Sequence, residues 1–89
     1  MAYLEFAPAL QRHATAPPVT LAAESLQSLL SAAFEQQPAL KSYVLDEQGF
    51  VRKHVAVFLN GRLLHDRKHL NVPLSAEDRV YVAQALSGG

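Results

Sequence analysis

The chain closes on Gly88 and Gly89, directly behind an apolar, strand-like run at residues 79–83. Neither glycine carries a Cβ and φ is free at both, so a carboxylate held on them can be threaded into a narrow catalytic channel. That makes Gly89 a candidate reaction site. The plain alternative is a frayed end, because terminal segments often contain Gly and Ser. Other residues offer weaker chemistry. His65 and His69 have the i, i+4 spacing that lets two imidazoles share a metal on a helix, but Asp66 is the only nearby carboxylate, and a solvated loop is the simpler reading. Arg62, His65, Arg67, Lys68 and His69 form a local basic cluster that either meets an acidic partner groove or is a solvated turn. His13 and His54 stand alone. No Ser-His-Asp arrangement, Gly-rich phosphate loop or carboxylate pair marks an enzyme in its own right.

Composition narrows the setting. A chain of 89 residues is one small domain spanning 1–89, able to bury roughly 60–65% of its unfolded surface. With 49% hydrophobic and 18% charged residues it is expected to be globular and soluble, and no apolar run approaches the roughly 20 residues that cross a bilayer. The start, Met1-Ala2-Tyr3-Leu4-Glu5, lacks the basic and apolar regions of a secretory signal, so the expected location is the cytoplasm. The absence of cysteine excludes disulfides and thiolate metal sites, and leaves no internal thiol to attack an activated acyl group. Eight basic and eight acidic side chains balance to zero, which argues against affinity for nucleic acid driven by phosphate neutralisation.

The elements that must position the glycines follow from hydrophobic spacing. Residues 2–6 alternate Leu4 and Phe6 against Tyr3 and Glu5, a strand with one face inward. Prolines 8, 17 and 18 frame a loop, and residues 19–22 return as an antiparallel partner. Leu26, Leu29, Leu30, Ala33 and Phe34 recur at i, i+3, i+4, i+7 and i+8, which predicts an amphipathic helix that Pro38 ends. Residues 39–45 are ambiguous; a short helical turn there would bury Leu40, Val44 and Leu45, before a turn at Asp46-Glu47-Gln48-Gly49. Val55-Ala56-Val57-Phe58-Leu59 reads as the central strand, and Asn60-Gly61 as a tight hairpin turn into a short strand at 62–64. Residues 67–70 read as loop or one helical turn, 75–78 as a turn, 79–83 as the last strand, and 84–89 as a flexible tail. The sum is an α+β fold, a mixed four- or five-stranded sheet packed on one main helix.

That order of elements, with the helix opening Ser25-Leu26-Gln27-Ser28-Leu29-Leu30, the strand and turn at 55–61, the segment Leu74-Ser75-Ala76-Glu77-Asp78-Arg79-Val80 and the tail Ala85-Leu86-Ser87-Gly88-Gly89, resembles the ubiquitin-like sulfur carriers of the ThiS/MoaD type. These are β-grasp proteins, and the resemblance covers essentially the whole chain. The residues at 44–53 resemble the longer members, including the carrier that feeds sulfur to cysteine synthesis. Family members commonly carry Asp-Gly-Asp before the last strand and a proline before the glycines, where this chain has Ala76-Glu77-Asp78 and Ala83-Gln84-Ala85.

The resemblance implies a group carrier rather than a catalyst. An E1-like adenylating enzyme would use ATP and magnesium to convert the Gly89 carboxylate to an acyl adenylate, and sulfide or a persulfide would displace AMP. The resulting thiocarboxylate would deliver sulfur to a biosynthetic enzyme making cysteine, thiamin, molybdopterin or another sulfur metabolite. Gly88 would keep the carbonyl open, with Ser87 and Leu86 lining the channel mouth. The carrier itself would bind no cofactor.

The strand at 55–59 is apolar on both sides, with Val55, Val57 and Leu59 facing one way and Ala56 and Phe58 the other. One helix covers one face only, so Phe58 and Tyr81 are expected on an outer patch that docks the partner enzymes, unless loops 7–18 or 38–50 fold over it. Two rivals to the carrier remain: a β-grasp interaction module that is never activated, and a protein modifier joined through Gly89 to a target lysine.

Overall fold

The computed structural model describes residues 1–12, 17–66 and 68–84, with only the backbone described for Arg12. The first strand, β1 (Ala2–Phe6), buries Ala2, Leu4 and Phe6 and turns Tyr3 and Glu5 outward, the alternation its sequence predicts. A 3-10 turn at Leu10–Arg12 follows, and its Leu10 is fully buried. Strand β2 (Val19–Leu21) then pairs antiparallel with β1, Tyr3 opposite Thr20.

Helix α1 (Leu26–Gln36) begins where Ser25 and Ser28 cap each other: each hydroxyl accepts from the other residue's backbone N–H at 3.2 Å. Two further N–H groups of its first turn, which no helical carbonyl can satisfy, donate outside the helix: Leu26 to Val72 O and Gln27 to Leu70 O, both at 2.8 Å. Segment 70–74 is thereby strapped to the start of α1, with a bridge from Ser25 to Pro73. The predicted stripe of Leu26, Leu29, Leu30, Ala33 and Phe34 is buried, and the Phe34 ring packs 6.4 Å from that of Phe6.

Pro38 ends α1, and it also opens a second helix, α2 (Pro38–Val44). Proline suits a first helical position because its missing N–H would have no partner there. The ambiguous stretch is thus helical, with Leu40 and Val44 fully buried and Leu45 half-buried at the C-cap. The turn beyond is held by the Asp46 carboxylate, which accepts from the N–H of Gln48 and Phe50, while Gly49 takes φ +84°.

Strand β3 (Val55–Leu59) turns through Asn60 (φ 52°) and Gly61 (φ 83°) into β4 (Arg62–Leu63), one residue shorter than expected. Both positive φ values belong to the mirror-image turn that matches strand twist. Strand β5 (Arg79–Gln84) completes a five-stranded sheet of order β2-β1-β5-β3-β4. The central strand is therefore β5 and not β3, a correction with a simple cause. β5 alternates buried Val80 and Val82 and pairs on both sides, whereas β3 takes only the two-residue β4 on its far side. The pairing of β5 is parallel to β1 and antiparallel to β3. A hairpin, a helix laid across one face and a last strand returning parallel beside the first make the β-grasp arrangement. Among the described residues no helix is long and apolar enough to cross a membrane.

Candidate functional site

Everything that could present the chain's end starts from β5. Its residues 79–82 pair with β1 from Tyr3 to Phe6, its residues 80–84 pair with β3 from Leu59 back to Val55, and Ala7 N–H adds a bond to Val82 O at 2.8 Å. The strand is thus held on both edges up to Val82, and on the β3 edge as far as Gln84, which stands opposite Val55. The expected site residues Leu86, Ser87, Gly88 and Gly89 lie beyond Gln84, outside the described residues.

The other expected site residues are brought together. Phe58 and Tyr81 are register partners on the face turned away from α1, with ring centroids 6.5 Å apart at 47°. Phe58 is half-buried and Tyr81 is 37% exposed. Of the two loops that could cover this face, Leu10, Leu40 and Val44 join the core with α1, and Tyr81 stays exposed. A third member escaped the sequence reading. Leu63, 43% exposed, is the register partner of Phe58 and extends the apolar strip across β4. The signal was present in the hairpin, since a two-residue Asn60-Gly61 turn sets Phe58 across from Leu63.

A polar half completes the face. The Tyr3 hydroxyl donates to Glu5 Oε1 at 3.0 Å, and the Arg79 guanidinium lies 4.8 Å from the centre of the Tyr3 ring. The Glu5 bond, which holds the phenol in its protonated form, raises the Tyr3 pKa above 10.0. Glu5 stands opposite Tyr81, so its carboxylate borders the apolar strip directly.

The histidine and basic signals resolve differently. His65 and His69 do not share a helix. His69 Nδ1 instead meets Asp66 Oδ2 at 2.9 Å, and Asp66 Oδ1 accepts from the N–H of Lys68 and His69. Those bonds, the His69 N–H foremost, hold the Asp66 carboxyl down to about 2. Among the described residues no three His, Asp or Glu side chains gather as a metal site would require. Of the basic cluster, Arg62 lies on β4 and Arg67 lies outside the described residues; Lys68 and His69 belong to a loop organised around the Asp66 carboxylate, with Lys68 Nζ 5.7 Å from the Phe50 ring centre.

Residues 10–89 match the ThiS family. The chain belongs to the ThiS family. No curated protein matches it. Among solved structures, this ThiS-family chain is similar to small archaeal modifier protein 1 (SAMP1) of Haloferax volcanii, at 23% identity over 99% of this chain and 98% of that one, with a TM-score of 0.79. A chain of the Amycolatopsis orientalis BexX/CysO complex superposes with a TM-score of 0.81 at 13% identity, covering 100% of both chains. Urm1 of Sulfolobus solfataricus reaches 0.69 at 14% identity, covering 92% of this chain and 97% of that one. At such identities the likeness shows the β-grasp fold of the ThiS-family chain.

Proposed function

We propose that the chain is a sulfur carrier whose reactive group is the Gly89 carboxylate. The observation that carries this reading is a ThiS-family chain whose doubly paired central strand leads within five residues to Gly88-Gly89. A carboxylate is a poor electrophile, so activation falls to an E1-like adenylating enzyme supplied with ATP and magnesium. A Gly89 carboxylate oxygen attacks the α-phosphorus, pyrophosphate leaves, and the acyl adenylate forms. Sulfide then attacks the acyl carbon and AMP leaves, giving a thiocarboxylate. A persulfide attacking in its place gives an acyl disulfide, whose S–S bond a thiol of the partner enzyme cleaves to release the thiocarboxylate and leave a disulfide. An acceptor enzyme consumes the thiocarboxylate in making a sulfur metabolite. The chain is a substrate in each step, in keeping with a cytoplasmic carrier that binds no cofactor of its own. Phe58, Tyr81 and Leu63 supply the strip on which the partner enzymes dock, because apolar aromatic surface rimmed by polar groups is what transient interfaces bury at their centres.

A second reading, covalent modification of target lysines through Gly89, is favoured by the likeness to small archaeal modifier protein 1. Intact mass spectrometry after incubation with ATP, magnesium, sulfide and the source organism's adenylating enzyme separates the two. Replacement of one Gly89 oxygen by sulfur supports the carrier, and its loss in Gly88→Val with an unchanged melting curve assigns the step to the threaded end. A Gly89-lysine isopeptide supports the modifier. An unaltered mass beside an enzyme that activates its other substrates leaves only a binding module and overturns both.

A further inference from the structure

The place where β5 leaves the sheet has its own chemistry. Val55 opposite Gln84 is the last described pair, so the turn at residues 52–54 borders the root of the terminal segment. That turn is fixed. Val55 N–H donates to Arg52 O at 3.1 Å, Arg52 N–H donates to Val44 O at 3.0 Å, and Arg52 Nε donates to Ser42 O at 2.8 Å. The His54 ring packs edge-on against Tyr43 with centroids 5.0 Å apart. Lys53 and His54 are both exposed. Residues 51–57 and 80–84, which meet here, carry Arg52, Lys53 and His54 and no carboxylate, whereas Asp46 and Glu47 line the hollows that Arg52 and Lys41 border. The start of β5 has the opposite character, with Glu77 and Asp78 just before it. Lys53 is thus an exposed cation at the end of β5, with no carboxylate on the two segments that pair there.

Reach makes that end a contact. The five residues after Gln84 span at most about 17 Å fully extended. An activating site recessed from water leaves little of that length spare, so the mouth of its channel must come up against the last paired residues and the turn beside them. Building on the sulfur-carrier reading, we infer that the 52–54 turn, through Lys53 and His54, docks on a carboxylate-lined channel mouth of the adenylating enzyme. The fixed turn lowers the ordering cost of that contact, and opposite charges at an interface rim act on encounter and affinity rather than on the chemical step.

ATP–pyrophosphate exchange by the source organism's adenylating enzyme tests this with the full-length chain. Lys53→Glu, a change at an exposed position, is expected to raise the KM for the carrier about three- to ten-fold with kcat nearly unchanged. Raising the salt concentration should shrink the difference, as screening demands. Arg62→Glu, on β4 at the opposite end of β3 from the turn, should match the parent protein. Exchange that proceeds with the parent and is equally efficient with Lys53→Glu overturns the inference and leaves the carrier reading standing, as does a fall in kcat alone. No exchange with the parent chain, beside an enzyme active on its own known substrate, overturns both.

Discussion

Asn60 and Asp78, 18 residues apart, bind each other side chain to side chain at 3.0 Å and lock the β3–β4 turn to the turn before β5. Asn60 Oδ1 also accepts from Arg79 N–H at 2.9 Å, Asp78 Oδ2 accepts from Ser75 N–H at 2.8 Å, and Asn60 N–H donates to Arg79 O. Both carboxylate oxygens thus face donors, and the Asn60 amide, ahead of the Ser75 N–H, lowers the Asp78 pKa below 3.8. A carboxyl whose folded pKa is depressed adds stability above its unfolded pKa and loses it as the pH falls through the folded value. Asp78→Asn sets an NH2 group against one donor whichever way the amide lies. Melting curves should show the variant several degrees less stable at pH 7, and the gap should close as the pH drops below 4.

Gly61 has φ +83°, and a Cβ built on it would meet nothing within 4 Å. The cost of Gly61→Ala is therefore purely conformational, about 1–2 kcal/mol for a left-handed alanine. Urea titration should show the midpoint falling with the slope unchanged, and Gly49→Ala, at φ +84° in equally open space, should behave alike.

Leu30 lies in the middle of the α1 stripe and is 1% exposed. Leu30→Ala removes a buried side chain that neighbours cannot fully replace, and is expected to cost about 2–5 kcal/mol by denaturant titration. Ser31→Ala, on the exposed side of the same helix, should leave the midpoint nearly unmoved.

Tyr81 contributes to the outer strip without being needed to fill the core. Tyr81→Ala is expected to weaken docking of the adenylating enzyme by about 1–2 kcal/mol, a five- to thirty-fold rise in KM in the exchange assay. The melting temperature should change little. A KM equal to the parent's would remove the strip from the interface.

Much of this molecule was legible in the linear chain because the signals were local. The 3.6-residue spacing of Leu26, Leu29, Leu30, Ala33 and Phe34 specified α1, the alternation in residues 2–6 and 79–83 specified two half-buried strands, and Asn60-Gly61 specified the hairpin. The second of those strands runs on through Gln84, a residue expected in the tail, because Gln84 pairs with Val55. The resemblance carried by those elements and by Gly88-Gly89 pointed to the ThiS family. Tertiary structure alone decided that β5 rather than β3 is central, because strand order depends on pairing between residues some 75 positions apart, such as Tyr3 and Arg79, and no local period encodes it. It likewise decided that Pro38 starts a helix as well as ending one: burial of Leu40 and Val44 against the core supplies what a seven-residue helix lacks on its own. And only pairing across the sheet set Lys53 and His54 beside Gln84, the last described residue of β5.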